Sequence, residues 1–165
     1  MRYYWDLLYH FFRANSRHGT HSPFVYKLAD EVIYAKVLPS SLPAGMPEGF
    51  APGYQALLQN CLGFLGLEAL SLYPTNHLQK AVCLNLNLVE QRQVLDLLRL
   101  GHIVVVDEPY RTQKAKTVWQ DLCQDSAVLV SIDLFHFGIL LNRDEQRKEY
   151  FRLRYPYRRW PLGRS

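Results

Sequence analysis

Two histidines and a serine near the amino terminus have the residue types of a reactive site. His18, His21 and Ser22 lie in the segment RHGTHSPFVY, with the histidines three positions apart. Imidazoles bind metals and transfer protons, but this spacing puts two ligands on one face only in a helix, and Gly19 favours a turn. No cysteine or third histidine follows at a suitable spacing. We therefore predict no metal site, and expect the three residues to fix a turn and a helix cap through hydrogen bonds.

Two adjacent carboxylates follow the apolar run HIVVV, at Asp107 and Glu108. If the run is a parallel strand, they stand at its carboxyl end, where α/β proteins place ligands. Adjacent residues of an extended segment point to opposite faces, so both line one pocket only if the backbone bends. The alternative is a solvated strand end paired with Arg111. For His136, proton transfer would need a cleft and a partner, and Asp133 is the near one in sequence.

The elements that carry these residues alternate in kind. The segments KAVCLNLN and HIVVVDEP are typical of short buried strands, and the helical patterns LVEQRQVLDLLRL and KAKTVWQDLCQD follow them. Two such units in tandem predict a parallel sheet. The segments SAVLVSIDLF and FGILLNR are nearly continuous, which predicts an antiparallel pair closing one edge. Alternation from Glu149 to Tyr155 indicates a further edge strand.

The first third of the chain is predicted to be helical and irregular. Helical spacing of apolar residues predicts a short amphipathic helix at the start, through Tyr4, Leu7, Leu8, Phe11 and Phe12. Ser22 before Pro23 is typical of the start of a second helix. A third helix is expected in YQALLQNCLGFLGL, and EALSLY has the pattern of a short strand. The predicted divisions are a helical segment at 1–38, a Pro/Gly-rich linker at 39–53, an α/β domain at 54–155 and a basic tail at 156–165.

Composition limits the classes of protein. A chain of 165 residues that is 48% hydrophobic suits one domain with a hydrophobic core. A net charge of +4 permits anionic partners but does not require them. Cys61, Cys83 and Cys123 each lie among apolar residues, which predicts buried free thiols and a reducing, cytoplasmic setting. No apolar run approaches the roughly 20 residues of a membrane span. We expect a soluble protein without membrane association.

Three longer segments carry a family resemblance. They are RHGTHSPFVY (Arg17 to Tyr26), VVVDEPY (Val104 to Tyr110) and SIDLFHFGILLNRDEQRKEYFRLRY (Ser131 to Tyr155). They resemble a class I S-adenosylmethionine-dependent methyltransferase-like family of the type found in Bacteroidetes. The resemblance implies an α/β fold: a partial, Rossmann-like and mostly parallel sheet with an antiparallel last strand, under an N-terminal helical cap.

The chain departs from that family where the cofactor would bind. The family has a glycine-rich loop of the form E/D-x-G-x-x-x-G after its first strand and an acidic residue after its second. Here EALSLYPTNHLQK runs directly into AVCLNLN, with no glycine-rich loop between them. Where the family reads I-D-x-N/D-H, this sequence has Asn85 and Leu88, which cannot act as a base or transfer a proton. The family's carboxylate pair remains as Asp107 and Glu108, so the candidate polar site is Asp107, Glu108 and Asn85.

These departures favour a degenerate, non-catalytic protein that acts as an interaction or structural module, with no cofactor expected. The alternative is an active S-adenosylmethionine-dependent methyltransferase with an atypical cofactor site in the loop from Pro43 to Gly53. A shortened sheet would expose an edge strand, which predicts a homodimer or a protein partner. The arginines of RLRYPYRRWPLGRS suit RNA, but an edge strand with a frayed basic end is favoured, so we expect no nucleic-acid binding.

Overall fold

Five helices and six strands make up the described part of the chain. The computed structural model describes residues 1–15, 22–37, 41–75, 78–143 and 147–162. The helices are α1 (Arg2–Arg13), α2 (Pro23–Leu28), α3 (Gln55–Phe64), α4 (Gln91–Arg99) and α5 (Gln113–Gln124), and a π-helical turn (Ala29–Ile33) extends α2. The strands are β1 (Leu70–Leu72), β2 (Ala81–Leu84), β3 (Ile103–Asp107), β4 (Val130–Asp133), β5 (Phe137–Leu141) and β6 (Glu149–Arg152). Each lies within the segment in which the sequence predicted it, except that α1 and α5 begin one residue earlier.

The strands form one mixed sheet in the order β1-β2-β3-β5-β4-β6. The pairs β1-β2 and β2-β3 are parallel, as the tandem βα units predicted. Strand β5 is antiparallel to both β3 and β4, and β6 is parallel to β4. The α/β class is therefore confirmed, with three parallel pairings and two antiparallel ones.

The predicted position of the antiparallel strand was wrong. The sequence placed it last, in a pair at one edge, whereas β5 lies inside the sheet and the last strand, β6, forms the edge and runs parallel to β4. A short turn explains the direction of β5, because residues 134–136 reverse the chain with Phe135 at φ 70°. Helix α5 packs closely on β5 because Gly138 has no side chain: a Cβ there would lie 2.2 Å from the indole of Trp119 on α5.

Helices cover both faces of the sheet, and alternate residues of each central strand supply two cores. Ala81 and Cys83 of β2 face the core beneath α2 and α3, whereas Val82 and Leu84 face the core beneath α4 and α5. Burial on both faces explains why these strands are continuous apolar runs in the sequence.

Both edges of the sheet are partly paired within the chain. On the β1 side, the Leu70 amide donates to the Gly45 carbonyl, within the segment predicted as a linker. On the β6 side, the Asn15 amide donates to the carbonyl of Arg152. These bridges shorten the backbone edge that remains open to another strand.

Helix α1 forms where predicted, and its aromatic side faces outward. Trp5 is 69% exposed and Phe12 is 77% exposed, while the one buried residue of α1 is His10. The inward side of α1 combines polar and apolar contacts: Tyr3 and His10 bond the carboxylates of Glu108 and Asp133, and both rings also contact Phe135.

The cysteine prediction is confirmed for all three thiols. Cys61, Cys83 and Cys123 are free and buried. Burial raises the pKa of each thiol above its ordinary value, so all three stay protonated and unreactive. Separately, none of the helices in the described residues has the length and apolar character that crossing a bilayer requires.

Candidate functional site

A pocket of about 400 Å³ opens where β1, β2 and β3 end. The carboxyl ends of parallel strands meet at this edge of the sheet, which is where open α/β sheets place ligands. Apolar side chains form much of its wall, among them Phe50, Leu72 and Leu88. Its polar groups include Asn85, Gln93 and Asp107, and Asp107 is the one acidic side chain among the described residues that line it.

The polar end of the pocket is built around Asp107. The buried Tyr54, at the start of α3, donates its hydroxyl to Asp107 Oδ1, and its ring stacks on Phe137 with 4.8 Å between centroids. Burial raises the pKa of Asp107, hydrogen bonds from Tyr54 and Asn85 oppose that rise, and the charge of Glu108 adds to it. Burial also raises the pKa of Tyr54, so its hydroxyl stays protonated and can donate to Asp107. Asp107 therefore offers the pocket a fixed hydrogen-bond acceptor.

Glu108 does not join this pocket. Its backbone has φ 42°, and its side chain accepts a hydrogen bond of 3.1 Å from the Tyr3 hydroxyl of α1. Glu108 Oε1 also lies 3.6 Å from Nδ1 of His136. The structure thus brings together Asp107 and Asn85 of the candidate polar site and turns Glu108 toward another cluster, as expected for adjacent residues at a strand end.

The second cluster joins three distant parts of the chain around His136. Its Nε2 lies 2.8 Å from the hydroxyl of Tyr157, and its Nδ1 lies 3.4 Å from the hydroxyl of Tyr3. Burial raises the pKa of Tyr157 to about 12, so its hydroxyl is not activated as a nucleophile at neutral pH. The cluster therefore ties α1 and the C-terminal segment to the sheet.

A buried carboxylate, Asp133, has the densest set of donors in the described chain. His10 Nε2 lies 2.9 Å from its Oδ1, and the hydroxyls of Tyr110 and Tyr150 each lie 2.5 Å from its Oδ2. Trp119 Nε1 donates to Oδ2 at 3.3 Å. Although burial opposes ionisation, hydrogen bonds and the charge of His10 lower the pKa of Asp133 to about 2. Because an ionised carboxylate only accepts, His10 Nε2 carries a proton.

The Asp133 cluster is structural. Asp133 is fully buried and His10 is 3% exposed, so neither reaches a substrate from solvent. The sequence offered Asp133 as a partner for His136, but Asp133 bonds His10, and His136 bonds Tyr3 and Tyr157. The His10–Asp133 pair fixes α1 against the carboxyl end of β4.

The predicted turn and cap at the first histidines can be followed only at Ser22. His18 and His21 lie outside the described residues. Ser22 is the residue before α2, with extended backbone, and its carbonyl accepts from the Tyr26 amide at 2.8 Å, but its side chain makes no capping bond. In the part of the chain that the structure describes, no three His, Cys, Asp or Glu side chains converge as metal ligands would.

The basic tail was predicted to be a frayed end, but part of it, up to residue 162, packs against the rest of the fold. Trp160 is buried, and Arg159 donates to the carbonyls of Lys36 and Val37 at 3.3 Å and 2.7 Å. Tyr157 bonds His136 as described above. Part of the arginine-rich segment is therefore used within the fold.

Comparison with known proteins adds no relative. No family model, curated protein or solved structure matches this chain. Its function therefore has to be argued from the pocket, the polar clusters and the surface.

Sequence reasoning missed several of the residues that reach these sites from far along the chain. Phe50, from the loop offered as an atypical cofactor site, lines the pocket, and Tyr54, which no local pattern marks, donates to Asp107 from the start of α3. For α1 a signal was present: Tyr3, Asp6 and His10 follow helical spacing and are polar in an otherwise apolar helix. Such a polar stripe predicts a partner surface that is itself polar.

Proposed function

We propose that this chain is a methyltransferase-like α/β module that does not catalyse methyl transfer and acts through interactions. The connection after β1 carries the proposal. Only residues 73–80, YPTNHLQK, separate β1 from β2, and they include no glycine. Tyr73 and Pro74 line the pocket where the resemblance implies a loop of backbone amides open to the cofactor.

The sheet order supports the link to methyltransferases. Strand β5 lies antiparallel between β3 and β4, which is similar to the inserted antiparallel strand with which class I methyltransferase sheets end. Three parallel strands, β1 to β3, precede β5 in the sheet order. The described residues therefore do not contain a cofactor-binding half of the usual size.

The polar groups of the pocket also support a non-catalytic role. A methyl acceptor with an acidic proton would need a base, and the position that resembles the family's I-D motif carries the amide of Asn85. Asp107 is held by Tyr54. The buried free thiols support a reducing compartment for the proposed module.

The proposal is tested by calorimetric titration with S-adenosylmethionine and S-adenosylhomocysteine. We expect no heat of binding at millimolar ligand from a sample whose folding is verified by a cooperative thermal transition. Micromolar binding of either ligand would overturn the proposal.

One observation favours an active methyltransferase as the second candidate. Phe50, from the loop that the sequence singled out as an atypical cofactor site, lines the pocket together with Asn85 and Asp107. If a ligand binds, Phe50→Ala and Asn85→Ala should each weaken it, because they remove a stacking surface and a hydrogen-bonding group. Leu100→Ala is the matched control, since Leu100 is exposed and is not among the pocket residues.

Partner binding through a sheet edge stays a prediction. The edge strand β1 has three residues, and Gly45 already pairs at its start. Leu72 at its end is 40% exposed. Light scattering over a range of protein concentrations tests the edge: a dimer that Leu72→Lys dissociates would support this route, and a monomer at high concentration would exclude it.

A further inference from the structure

The outward side of α1 is aromatic. We call it the aromatic face, and its members all have at least 40% of their surface exposed: Tyr4, Trp5, Leu8, Tyr9, Phe11 and Phe12. At about 100° per residue they span an arc of about 160°, and no polar residue of α1 falls inside it. An exposed aromatic cluster of this extent marks an interaction surface.

This orientation of α1 is fixed by its other side. Tyr3 bonds Glu108 at 3.1 Å, Asp6 pairs with Lys116 at 2.5 Å, and His10 pairs with Asp133. Rotating the aromatic face inward would break all three contacts and remove the His10 donor from the buried carboxylate of Asp133.

The aromatic face is bordered by positive charge. Arg13 and Arg152 lie over the ring of Tyr9, at 5.4 Å and 5.8 Å from its centroid, and Arg154 lies 4.3 Å from the centroid of Phe11. The one acidic residue of α1, Asp6, is directed inward and only 13% exposed. The aromatic face therefore suits a partner that offers an apolar region to the rings and anionic groups to the arginines around them.

Charge disfavours a second copy of α1 as that partner. An antiparallel pair of α1 helices would place Arg2 of one chain near Arg13 of the other, and the aromatic face has no acidic residue to compensate. Tryptophan, tyrosine and phenylalanine flanked by arginine are instead the composition of helices that lie in the headgroup region of a bilayer.

We propose that the aromatic face of α1 docks the protein on the surface of an anionic lipid bilayer. The helix lies parallel to the membrane along its length of about 18 Å, with the rings at the boundary between headgroups and acyl chains and the arginines at the lipid phosphates. The sequence-based expectation of no membrane association rested on the lack of an apolar run long enough to span a bilayer, and that criterion does not apply to a helix lying on the surface. The inference rests on the proposed interaction role and names its partner.

Vesicle binding tests the proposal. The purified chain is titrated with phosphatidylcholine vesicles that contain about 30 mol% phosphatidylserine, and with phosphatidylcholine alone. Trp119 and Trp160 are buried, so a blue shift of tryptophan emission reports Trp5. We expect a blue shift and co-flotation with the anionic vesicles. Trp5→Phe should remove the blue shift and preserve co-flotation.

Two variants separate apolar from electrostatic docking. Trp5→Ser with Phe12→Ser should weaken binding by about tenfold or more, and Arg13→Gln should weaken binding to anionic vesicles by about fivefold. Leu100→Ser, an exposed apolar residue outside α1, should leave binding unchanged. An equal loss of vesicle binding in this control would indicate nonspecific hydrophobic adsorption and would overturn the proposal.

Other occupants give different results. Absence of co-flotation at millimolar lipid overturns the proposal. A concentration-dependent dimer that the Trp5→Ser, Phe12→Ser variant abolishes would also overturn it. Binding to an acidic protein but not to vesicles would do the same. The cofactor titration examines a different part of the molecule, so failure of the docking proposal leaves the outcome for the pocket unaffected, and the reverse holds.

Discussion

His10 Nε2 on α1 lies 2.9 Å from Asp133 Oδ1 on β4, and both side chains are buried. The pair connects residues that are far apart in the chain and fixes which face of α1 meets solvent. The outward direction of the aromatic face therefore depends on a buried polar contact.

Removing the charge of Asp133 should destabilise the fold. Asp133→Asn leaves His10 and the tyrosine hydroxyls facing an amide, and breaking a buried pair in this way costs about 3–5 kcal/mol of unfolding free energy. Urea unfolding at pH 7 measures the change. Asp96→Asn is the matched control, because Asp96 pairs with Arg92 and Arg99 on the surface and should contribute below about 1 kcal/mol. Similar losses in the two variants would contradict the structural role of Asp133.

Acid should unfold the protein in a window set by Asp133. Its pKa is lowered from 3.8 to about 2, so the native state stabilises the ionised carboxylate. That stabilisation is complete above about pH 4 and is lost as pH falls through about 2. Unfolding free energies measured from pH 6 to pH 2 should fall more steeply for the wild type than for Asp133→Asn. Parallel curves would show that other carboxylates dominate.

Asp107 should have the opposite effect. Its pKa is raised by burial, so its native-state ionisation costs stability, and this cost appears as pH rises above the unfolded value. We expect Asp107→Asn to be more stable than the wild type at neutral pH, with the difference vanishing in acid. Thermal unfolding at several pH values measures it. Tyr54→Phe removes the donor to Asp107 and should lower stability, which distinguishes loss of charge from loss of the bond. Destabilisation by Asp107→Asn at pH 7 would contradict the raised pKa.

Gly138 should tolerate no side chain. A Cβ at this position would lie 2.2 Å from Trp119, so Gly138→Ala must displace the indole or shift β5, at a cost of about 1–3 kcal/mol. A double-mutant cycle with Trp119→Leu tests the cause. The alanine should cost less when Trp119 is absent, and equal costs in both backgrounds would place the strain elsewhere.

Part of the pocket was predictable because it follows from strand order. The carboxyl ends of adjacent parallel strands meet, so Asn85 after β2 and Asp107 at the end of β3 were expected near each other. Phe50 lies in the loop from Pro43 to Gly53 that the sequence offered as an atypical cofactor site, whereas Tyr54 was not predictable, because no local pattern marks it. The π-helical turn after α2 likewise has no signature in the local sequence.

The sequence by itself determined the α/β class, the limits of the central strands and helices, the burial of the three cysteines and the absence of a glycine-rich loop. These follow from local periodicity and residue type, which act within a few positions. Tertiary structure decided that β5 lies inside the sheet and that the aromatic face of α1 points outward. Both depend on contacts between distant residues, since β5 pairs with β3 and His10 bonds Asp133, and a local pattern defines the two faces of an element but not its neighbours.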